Sequence, residues 1–251
     1  MEHDLDEPQG EAMERYPSSL TLVRHAESKY NALKHIFTQW EAFRAFNSVF
    51  KKEYYVDAKN QTVRPDFDEV VLEQRWPSPE LRQLALVLYK QIRVLMNGVS
   101  DFDTPITDEG ARQARETGKR IAEHAPKPDL IYVSPYLRTH QTLDLILDHA
   151  PSDWKGVQQW ENESIREQEH GMQTVFNDWR LAFVFDPMEA MQYNKQGAYS
   201  YRYRGGESKF DVRSRSSRFI GRLRRKHEGE NILAVTHHLT RSEERRVGER
   251  V

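Results

Sequence analysis

Three short apolar runs along the chain predict the interior strands of a parallel sheet. They cover residues 19–25, 129–134 and 231–236, and proline, glycine or polar residues bound each of them. Apolar runs of about four to eight residues between turn residues are typical of strands buried on both faces. Because ligands gather at the carboxyl ends of such strands, we expect chemistry directly after these runs.

Helical spacing of apolar and small residues separates the predicted strands. Thr107 is suited to cap a helix that continues through Glu123, and further helices are predicted over 137–149 and about 207–226, the last one burying Phe210, Phe219 and Leu223. The alternation of strand and helix favours the α/β class, as a three-layer α/β/α sandwich with a mostly parallel sheet.

Two segments interrupt this alternation. Residues 41–103 are rich in aromatic residues and contain an amphipathic stretch from Leu81 to Met96, which predicts a mostly helical insertion. A smaller insertion, again rich in Phe, Tyr and Trp, is predicted at 172–204. We therefore expect one domain over 18–240 that carries a helical insertion, preceded by a disordered acidic arm over 1–17.

Composition excludes several classes of protein. The chain has 251 residues, no cysteine and a net charge of −2, so a disulfide scaffold, a thiol nucleophile and a generic binder of nucleic acid are not expected. No stretch approaches the roughly 20 apolar residues of a membrane span, and the acidic N-terminus does not resemble a secretory signal. A cytoplasmic protein that does not associate with membranes is the expectation, and its oligomeric state is left open.

Chemically capable side chains occur in five groups in one order along the chain. These are residues 22–28 with Asn31, then 134–142, 166–171, 205–208 and 235–238. The sequence here resembles the histidine phosphatase superfamily, in the branch that contains the cofactor-dependent phosphoglycerate mutases and related phosphatases. The resemblance extends over about 19–240 with the insertion unmatched, and several separated motifs carry it.

The resemblance implies a role for each matched residue. His25 becomes phosphorylated, Arg24, Arg138 and His237 clamp the phosphoryl group, and Glu167 donates a proton to the leaving group and later activates water. It also implies phosphate contacts from Asn31, Thr38 and Gln39, although Gln39 stands where the family usually has glycine. Glu169 is a rival to Glu167 because it lies in the same short acidic segment. Glu27 and Ser28 are expected to cap a helix.

Phosphoryl transfer suits this set of residues. A phosphoryl group is a tetrahedral dianion, so its transfer needs a nucleophile and fixed cations around its oxygens. A neutral imidazole is available as a nucleophile near pH 7, since its unperturbed pKa is about 6.5. Neither a cofactor nor a metal is expected, because adjacent histidines on a strand, such as His237 and His238, point to opposite faces.

Three functions remain open from the sequence. The first is hydrolysis of a small phosphomonoester through phosphohistidine, with an unknown substrate. The second is mutase-type phosphoryl transfer, but the segment after Gly171 offers Arg180 alone where the mutases have an arginine pair and a lysine. The third is a catalytically silent module that recognises phosphate. We favour the phosphatase.

The tail over 241–251 does not fit the rest of the chain. It has only two apolar side chains, Val247 and Val251, where the family has an apolar helix that packs on the sheet. It also looks like translated adapter sequence, so we expect a non-native tail and a protein that is unstable as written.

Overall fold

The computed structural model describes residues 16–57, 62–98 and 100–238. The acidic arm predicted at 1–17, apart from its last two residues, lies outside the described residues. So does the whole tail predicted at 241–251, and both expectations stay predictions.

Six strands and ten helices form the described part of the chain. The strands are β1 (Ser19–Arg24), β2 (Tyr55–Asp57), β3 (Thr62–Val63), β4 (Leu130–Val133), β5 (Gln158–Glu161) and β6 (Asn231–Thr236). The helices are α1 (Lys29–Thr38), α2 (Glu41–Tyr54), α3 (Phe67–Leu72), α4 (Pro79–Met96), α5 (Asp108–His124), α6 (Leu137–His149), α7 (Gln173–Phe176), α8 (Trp179–Phe185), α9 (Pro187–Gln196) and α10 (Lys209–Lys226). Short 3₁₀ turns lie at Ser152–Trp154 and Glu163–Ile165.

The main sheet is fully parallel, with the strand order β1-β6-β4-β5. Three of its strands are the predicted apolar runs. The fourth, β5, was not predicted because its residues are all exposed and only Trp160 is apolar. It lies at the edge of the sheet, where backbone pairing with β4 is sufficient to hold it.

Side chains that alternate along the strands build two cores, one on each face of the sheet. On one face Val23, Val133 and Val235 pack against α6, through Leu143 and Ile146. On the other face the neighbouring strand positions pack against Phe219, Ile220 and Leu223 of α10. This arrangement confirms the predicted α/β class and its three layers.

The predicted helix over about 207–226 differs from α10 at its start. Ser208 is the N-cap, accepting from the Asp211 backbone N–H in a capping box, so the helix begins at Lys209. The prediction that Phe210 is buried is wrong, since 59% of it is exposed. Phe210 lies in the first turn of α10 and points away from the sheet. Its ring contacts the Tyr199 ring edge-on, with 6.4 Å between the two centroids.

A third core, which we call the aromatic core, lies outside the sandwich and is shared by α2, α3, α4, α8 and α9. It joins the two segments predicted as separate insertions, with 5.5 Å between the ring centroids of Phe50 and Trp179. The predicted helix from Leu81 to Met96 is α4, which begins two residues earlier because Ser78 caps it and Pro79 follows. None of the described helices combines the length and apolarity that a bilayer crossing requires.

Candidate active site

The ends of β1, β4 and β6 bring most of the chemically capable residues together at one edge of the sheet. Arg24 is the last residue of β1, and His25 follows it. Arg138 lies in the first turn of α6, shortly after β4, and His237 directly follows β6. Together with Glu167 they surround one end of a cavity of about 500 Å³, in which Arg24, His25, Arg138 and Glu167 form part of the wall.

The backbone carbonyl group of the next residue determines which ring nitrogen of His25 carries the proton. Its Nδ1 lies 2.7 Å from the Ala26 carbonyl oxygen, which can only accept, so Nδ1 carries the proton and Nε2 carries the lone pair. Burial lowers the pKa of His25 to about 4, and the guanidinium groups of Arg138 and Arg24 act in the same direction. The ring is therefore neutral and nucleophilic at physiological pH.

His237 is held against both His25 and Arg138. The two imidazole rings are 5.1 Å apart between centroids. Arg138 Nη2 lies 3.4 Å from His237 Nδ1, and a guanidinium only donates, so Nδ1 accepts and the Nε2–H donates to Ser134 Oγ at 2.8 Å. Burial, followed by the charge of Arg138, lowers the pKa of His237 well below its usual value.

Arg138 has a carboxylate partner that the sequence did not reveal. Its Nη1 donates to the Asp101 backbone oxygen at 2.6 Å and to Asp101 Oδ1 at 3.1 Å. The guanidinium also stacks 4.5 Å from the centroid of the Tyr136 ring. Arg138 is only 4% exposed, so these contacts fix its position before any ligand arrives.

Glu167 lies beside this cluster, with its Oε2 3.8 Å from His237 Nδ1. Burial raises the pKa of Glu167, which favours the protonated form that an acid needs. The charge of Asp101 raises the pKa further, whereas Arg138 and Arg215 oppose the rise. The rival Glu169 is exposed, pairs with Arg166 at 3.4 Å and is not part of the cavity wall.

A buried ion pair supports the segment that carries Glu167. Arg215 of α10 contacts both carboxylate oxygens of Glu207, at 3.1 and 3.2 Å, and donates to the Glu167 backbone oxygen at 3.0 Å. Glu207 also accepts from Arg166 at 2.8 Å and from the Glu169 backbone N–H at 3.2 Å. The sequence predicted a helix from about residue 207, whereas Glu207 lies just before the N-cap of α10 and contacts the segment that carries Glu167.

Three residues predicted to touch phosphate are placed differently. Asn31 lies in the cavity wall, and its Oδ1 accepts from Ser28, the expected cap of α1, so its Nδ2 remains for a ligand. Thr38 and Gln39 lie at the far end of α1 and are not part of that wall. The Thr38 hydroxyl donates to the His35 carbonyl oxygen at 2.8 Å, and Gln39 is exposed at the helix C-cap. The structure therefore does not bring these two residues to the site.

The far half of the cavity is formed mostly by residues that sequence reasoning did not single out. They come from α1, from the aromatic core and from the loop before α10, and include Tyr30, Tyr54, Trp179, Phe183, Tyr193, Asn194 and Tyr203. His170, from the predicted group 166–171, also belongs to this part of the wall. The only signal in the sequence was the aromatic richness of the two insertions, which does not say which rings face a ligand.

A metal ion is one chemical alternative for this cluster. His25, Glu167 and His237 each offer one ligand atom, and these atoms lie within 4.8 Å of one another. Neutral imidazoles and a carboxylate are suitable ligands for zinc. However, Arg24 and Arg138 raise the positive potential at the same place, which favours an anion over a cation.

Comparison with known proteins identifies the family to which the chain belongs and a relative that it resembles. The family model described as histidine phosphatase superfamily (branch 1) matches residues 96–242, more than half of the chain. That range includes Arg138, Glu167 and His237, while Arg24 and His25 precede it and reach the same site only in the folded structure. The phosphoglycerate mutase-like protein AT74H of Arabidopsis thaliana is 31% identical over 160 residues. This match covers 56% of the chain and 54% of that protein, so the chain spans about half the length of this curated relative.

Solved structures share the fold at low sequence identity. Bacillus stearothermophilus YhfR is 18% identical, with a TM-score of 0.53, over 92% of this chain and 80% of that one. The alpha-ribazole phosphatase from Shigella flexneri is 17% identical, with a TM-score of 0.53, over 89% and 75%. At these identities the likeness describes the architecture alone.

Proposed function

Because the chain belongs to branch 1 of the histidine phosphatase superfamily, we propose that it hydrolyses phosphomonoesters through a phosphohistidine at His25. The observation that carries the proposal is the hydrogen bond from His25 Nδ1 to the Ala26 carbonyl. It leaves the Nε2 lone pair available on a neutral ring, beside two guanidinium groups and a carboxyl group.

In the first step, His25 Nε2 attacks the phosphorus atom and the bond to the ester oxygen breaks. Arg24 and Arg138 surround the phosphoryl oxygens, and their positive charge and N–H donors stabilise the transition state. The neutral His237 ring packs against His25 and accepts a hydrogen bond from Arg138, so it supports this clamp without adding charge to it. Glu167 gives its proton to the leaving alkoxide, which departs as a neutral alcohol.

In the second step, water replaces the alcohol. The Glu167 carboxylate takes a proton from the water as its oxygen attacks phosphorus, and the bond between phosphorus and Nε2 breaks. Inorganic phosphate leaves, and both His25 and Glu167 return to their starting forms. The two steps together need no reactant other than the ester and water.

Hydrolysis is favoured over mutase chemistry by the position of Arg180. This arginine, the only one in the segment where mutases have several basic residues, donates to Asp178 at 2.7 Å and to Asn47 at 2.8 Å. It stacks 4.6 Å from the Phe43 ring and is not part of the cavity wall. It is therefore already satisfied and does not offer its charge to a substrate carboxylate.

Phosphate release from p-nitrophenyl phosphate, combined with trapping of labelled enzyme, tests the proposal. The intact protein should release phosphate and yield an acid-labile phosphohistidine. We expect His25→Ala to lower kcat/KM by more than about a hundredfold, because loss of a nucleophile costs several decades. His124→Ala is the matched control, since that side chain is 77% exposed on α5. No turnover by the intact protein would instead favour a silent phosphate-recognition module, and full activity of His25→Ala would exclude His25 as the nucleophile.

A further inference from the structure

The cavity is larger than a phosphoryl group requires. Its volume of about 500 Å³ lies in the range of sites that bury whole small-molecule ligands. Only one end is formed by Arg24, His25 and Arg138, and the remainder extends along the aromatic core. The group attached to the phosphate therefore has its own binding region.

Packed aromatic rings form the wall of that region. The Phe183 ring centroid lies 5.3 Å from Trp179 and 5.2 Å from Tyr193, and the Tyr54 ring is 6.1 Å from Phe183. Because these rings support one another, they are ordered before a ligand binds, and little conformational entropy is lost on binding. Such a wall favours a flat, uncharged partner.

Two polar groups in this wall have no hydrogen-bond partner in the described part of the protein. Asn194 Oδ1 accepts from the Tyr54 hydroxyl at 2.5 Å, whereas its Nδ2 is buried without a hydrogen-bond partner. Nearby, His170 Nδ1 is also buried and unpartnered, and both residues are part of the cavity wall. Buried polar groups are usually hydrogen-bonded, so these atoms indicate where a ligand supplies acceptors or donors.

The charges along the wall disfavour a second anion. Three basic residues, Arg24, Lys34 and Arg138, are matched by three acidic ones, Asp101, Glu167 and Asp178. Two of the basic residues are at the phosphate end, and a phosphate dianion uses their charge. Only Lys34 then remains as a basic residue of the wall, so a carboxylate on the leaving group would add to an excess of negative charge, which is unfavourable.

We propose that the substrates are phosphomonoesters of uncharged, ring-bearing alcohols whose ring packs on the Trp179, Phe183 and Tyr193 wall and accepts a hydrogen bond from Asn194 Nδ2. This inference rests on the proposed phosphatase function and adds the substrate class. Sugar phosphates and arylalkyl phosphates both present a ring that can pack on this wall, but only the sugar ring carries oxygens that can accept the hydrogen bond from Asn194. Esters whose leaving group carries a carboxylate, such as 3-phosphoglycerate, are therefore not expected to be good substrates.

Four esters of primary alcohols separate the contributions of ring, acceptor and charge. Glucose 6-phosphate has a ring with acceptors, benzyl phosphate has a ring without them, glycerol 3-phosphate has neither a ring nor a charge beyond its phosphate, and 3-phosphoglycerate adds a carboxylate. We expect kcat/KM for the two ring esters to exceed that for the other two by at least about tenfold. Equal values for all four, or the highest value for 3-phosphoglycerate, would overturn the proposal.

Substitution of Asn194 then distinguishes the two kinds of ring. Asn194→Leu should lower kcat/KM for glucose 6-phosphate by about tenfold or more and change the value for benzyl phosphate much less. Gln192→Leu is the matched control, because Gln192 is exposed on the same helix. If Asn194→Leu lowers neither value, the hydrogen bond to Asn194 is wrong.

Binding to the His25→Ala variant makes the substrate class testable without turnover. Dissociation constants for the same four esters, measured by calorimetry, should follow the same order, because the far half of the cavity is unchanged. Preferential binding of the ring esters with no turnover by the intact protein would refute the phosphatase and keep the specificity. Turnover of p-nitrophenyl phosphate together with tightest binding of 3-phosphoglycerate would support the phosphatase and refute the proposed substrate class.

Discussion

His25 and Glu167 lie in the same site, and burial moves their pKa values in opposite directions. It lowers the pKa of the imidazole to about 4 and raises that of the carboxyl group above its usual value of 4.5. Between these two values the imidazole is neutral while the carboxyl group is still protonated. Both forms are needed in the first step, so the environment supplies a nucleophile and an acid from residues of ordinary chemistry.

This difference predicts the pH profile for an alkyl phosphate. The value of kcat/KM should rise as pH increases through about 4, where His25 loses its proton, and fall as pH passes the raised pKa of Glu167, where the acid ionises. Glu167→Gln should abolish the fall at higher pH. It should also slow alkyl phosphates far more than p-nitrophenyl phosphate, whose leaving group needs little protonation. An unchanged alkaline limb in Glu167→Gln would assign the acid to another group.

The Asp101 carboxylate accepts a hydrogen bond from the Arg138 guanidinium, as an oxygen of a bound phosphate would. Its carboxylate lies 3.1 Å from Arg138 Nη1 and is 34% exposed at the cavity wall. A phosphate dianion bound to Arg138 is therefore repelled by a neighbouring negative charge. We therefore expect Asp101 to compete with phosphate for Arg138 and to weaken retention of the anionic product.

We expect Asp101→Asn to lower the inhibition constant for inorganic phosphate by about three- to tenfold, since one like charge near the anion is removed. Asp103→Asn is the control, because that exposed carboxylate accepts from the Ser100 hydroxyl at 2.6 Å and is not part of the cavity wall. Competitive inhibition assays at low ionic strength measure the effect. Weaker inhibition in Asp101→Asn would show that Asp101 positions Arg138 and does not compete with phosphate.

At the level of elements, two close backbone approaches fix the segment that carries Glu167. Gly171 has φ +51°, and a Cβ there would lie 2.1 Å from the Arg204 carbonyl oxygen. A Cβ on Gly206 would lie 2.4 Å from the Glu169 carbonyl oxygen. The segment after β5 and the loop before α10 can only pack so closely because both positions lack a side chain.

The ion pair between Arg215 and Glu207 fastens the same segment to α10. Arg215→Met removes one of the two cations that contact Glu207 in the described residues and leaves Arg166 as the other, so the free energy of unfolding should fall by about 3 kcal/mol. The kcat value should fall as well, because Glu167 loses its backbone support. Arg218→Met, an exposed position on the same helix, should change neither quantity. Chemical denaturation and steady-state kinetics test this, and a stable variant with normal kcat would contradict the positioning role.

In the whole molecule, the site lies where the sandwich meets the aromatic core. The carboxyl ends of β1, β4 and β6 position the residues at the phosphate end of the cavity. The aromatic core supplies the far wall, through α2, α8 and α9. Changes in one core should therefore alter phosphate chemistry, and changes in the other should alter binding of the leaving group.

Two fully buried phenylalanines allow this division to be tested. Phe50 is 0% exposed in the aromatic core and contacts both Tyr54 and Trp179, while Phe219 is 1% exposed behind the sheet. Each Phe→Ala change should lower the free energy of unfolding by about 3–5 kcal/mol. Only Phe50→Ala should also raise KM for a ring-bearing phosphate, since Phe50 supports two rings of the cavity wall, whereas Phe219 packs on Tyr132, which is not part of that wall. Equal KM values for both variants would show that the aromatic core does not shape the site.

Local pattern was sufficient for much of the fold and for the phosphate end of the site. The three apolar runs became β1, β4 and β6, and the residues that follow strands, such as His25 and His237, lie together because parallel strands end at one edge. Local pattern was not sufficient for β5, which is exposed and held by backbone pairing, or for Phe210, which the helix phase alone placed in the core. Asp101 and Asn194 reach the cavity through contacts between segments far apart in the chain. Such contacts depend on how whole elements pack, and hydrophobic periodicity within one element carries no information about them.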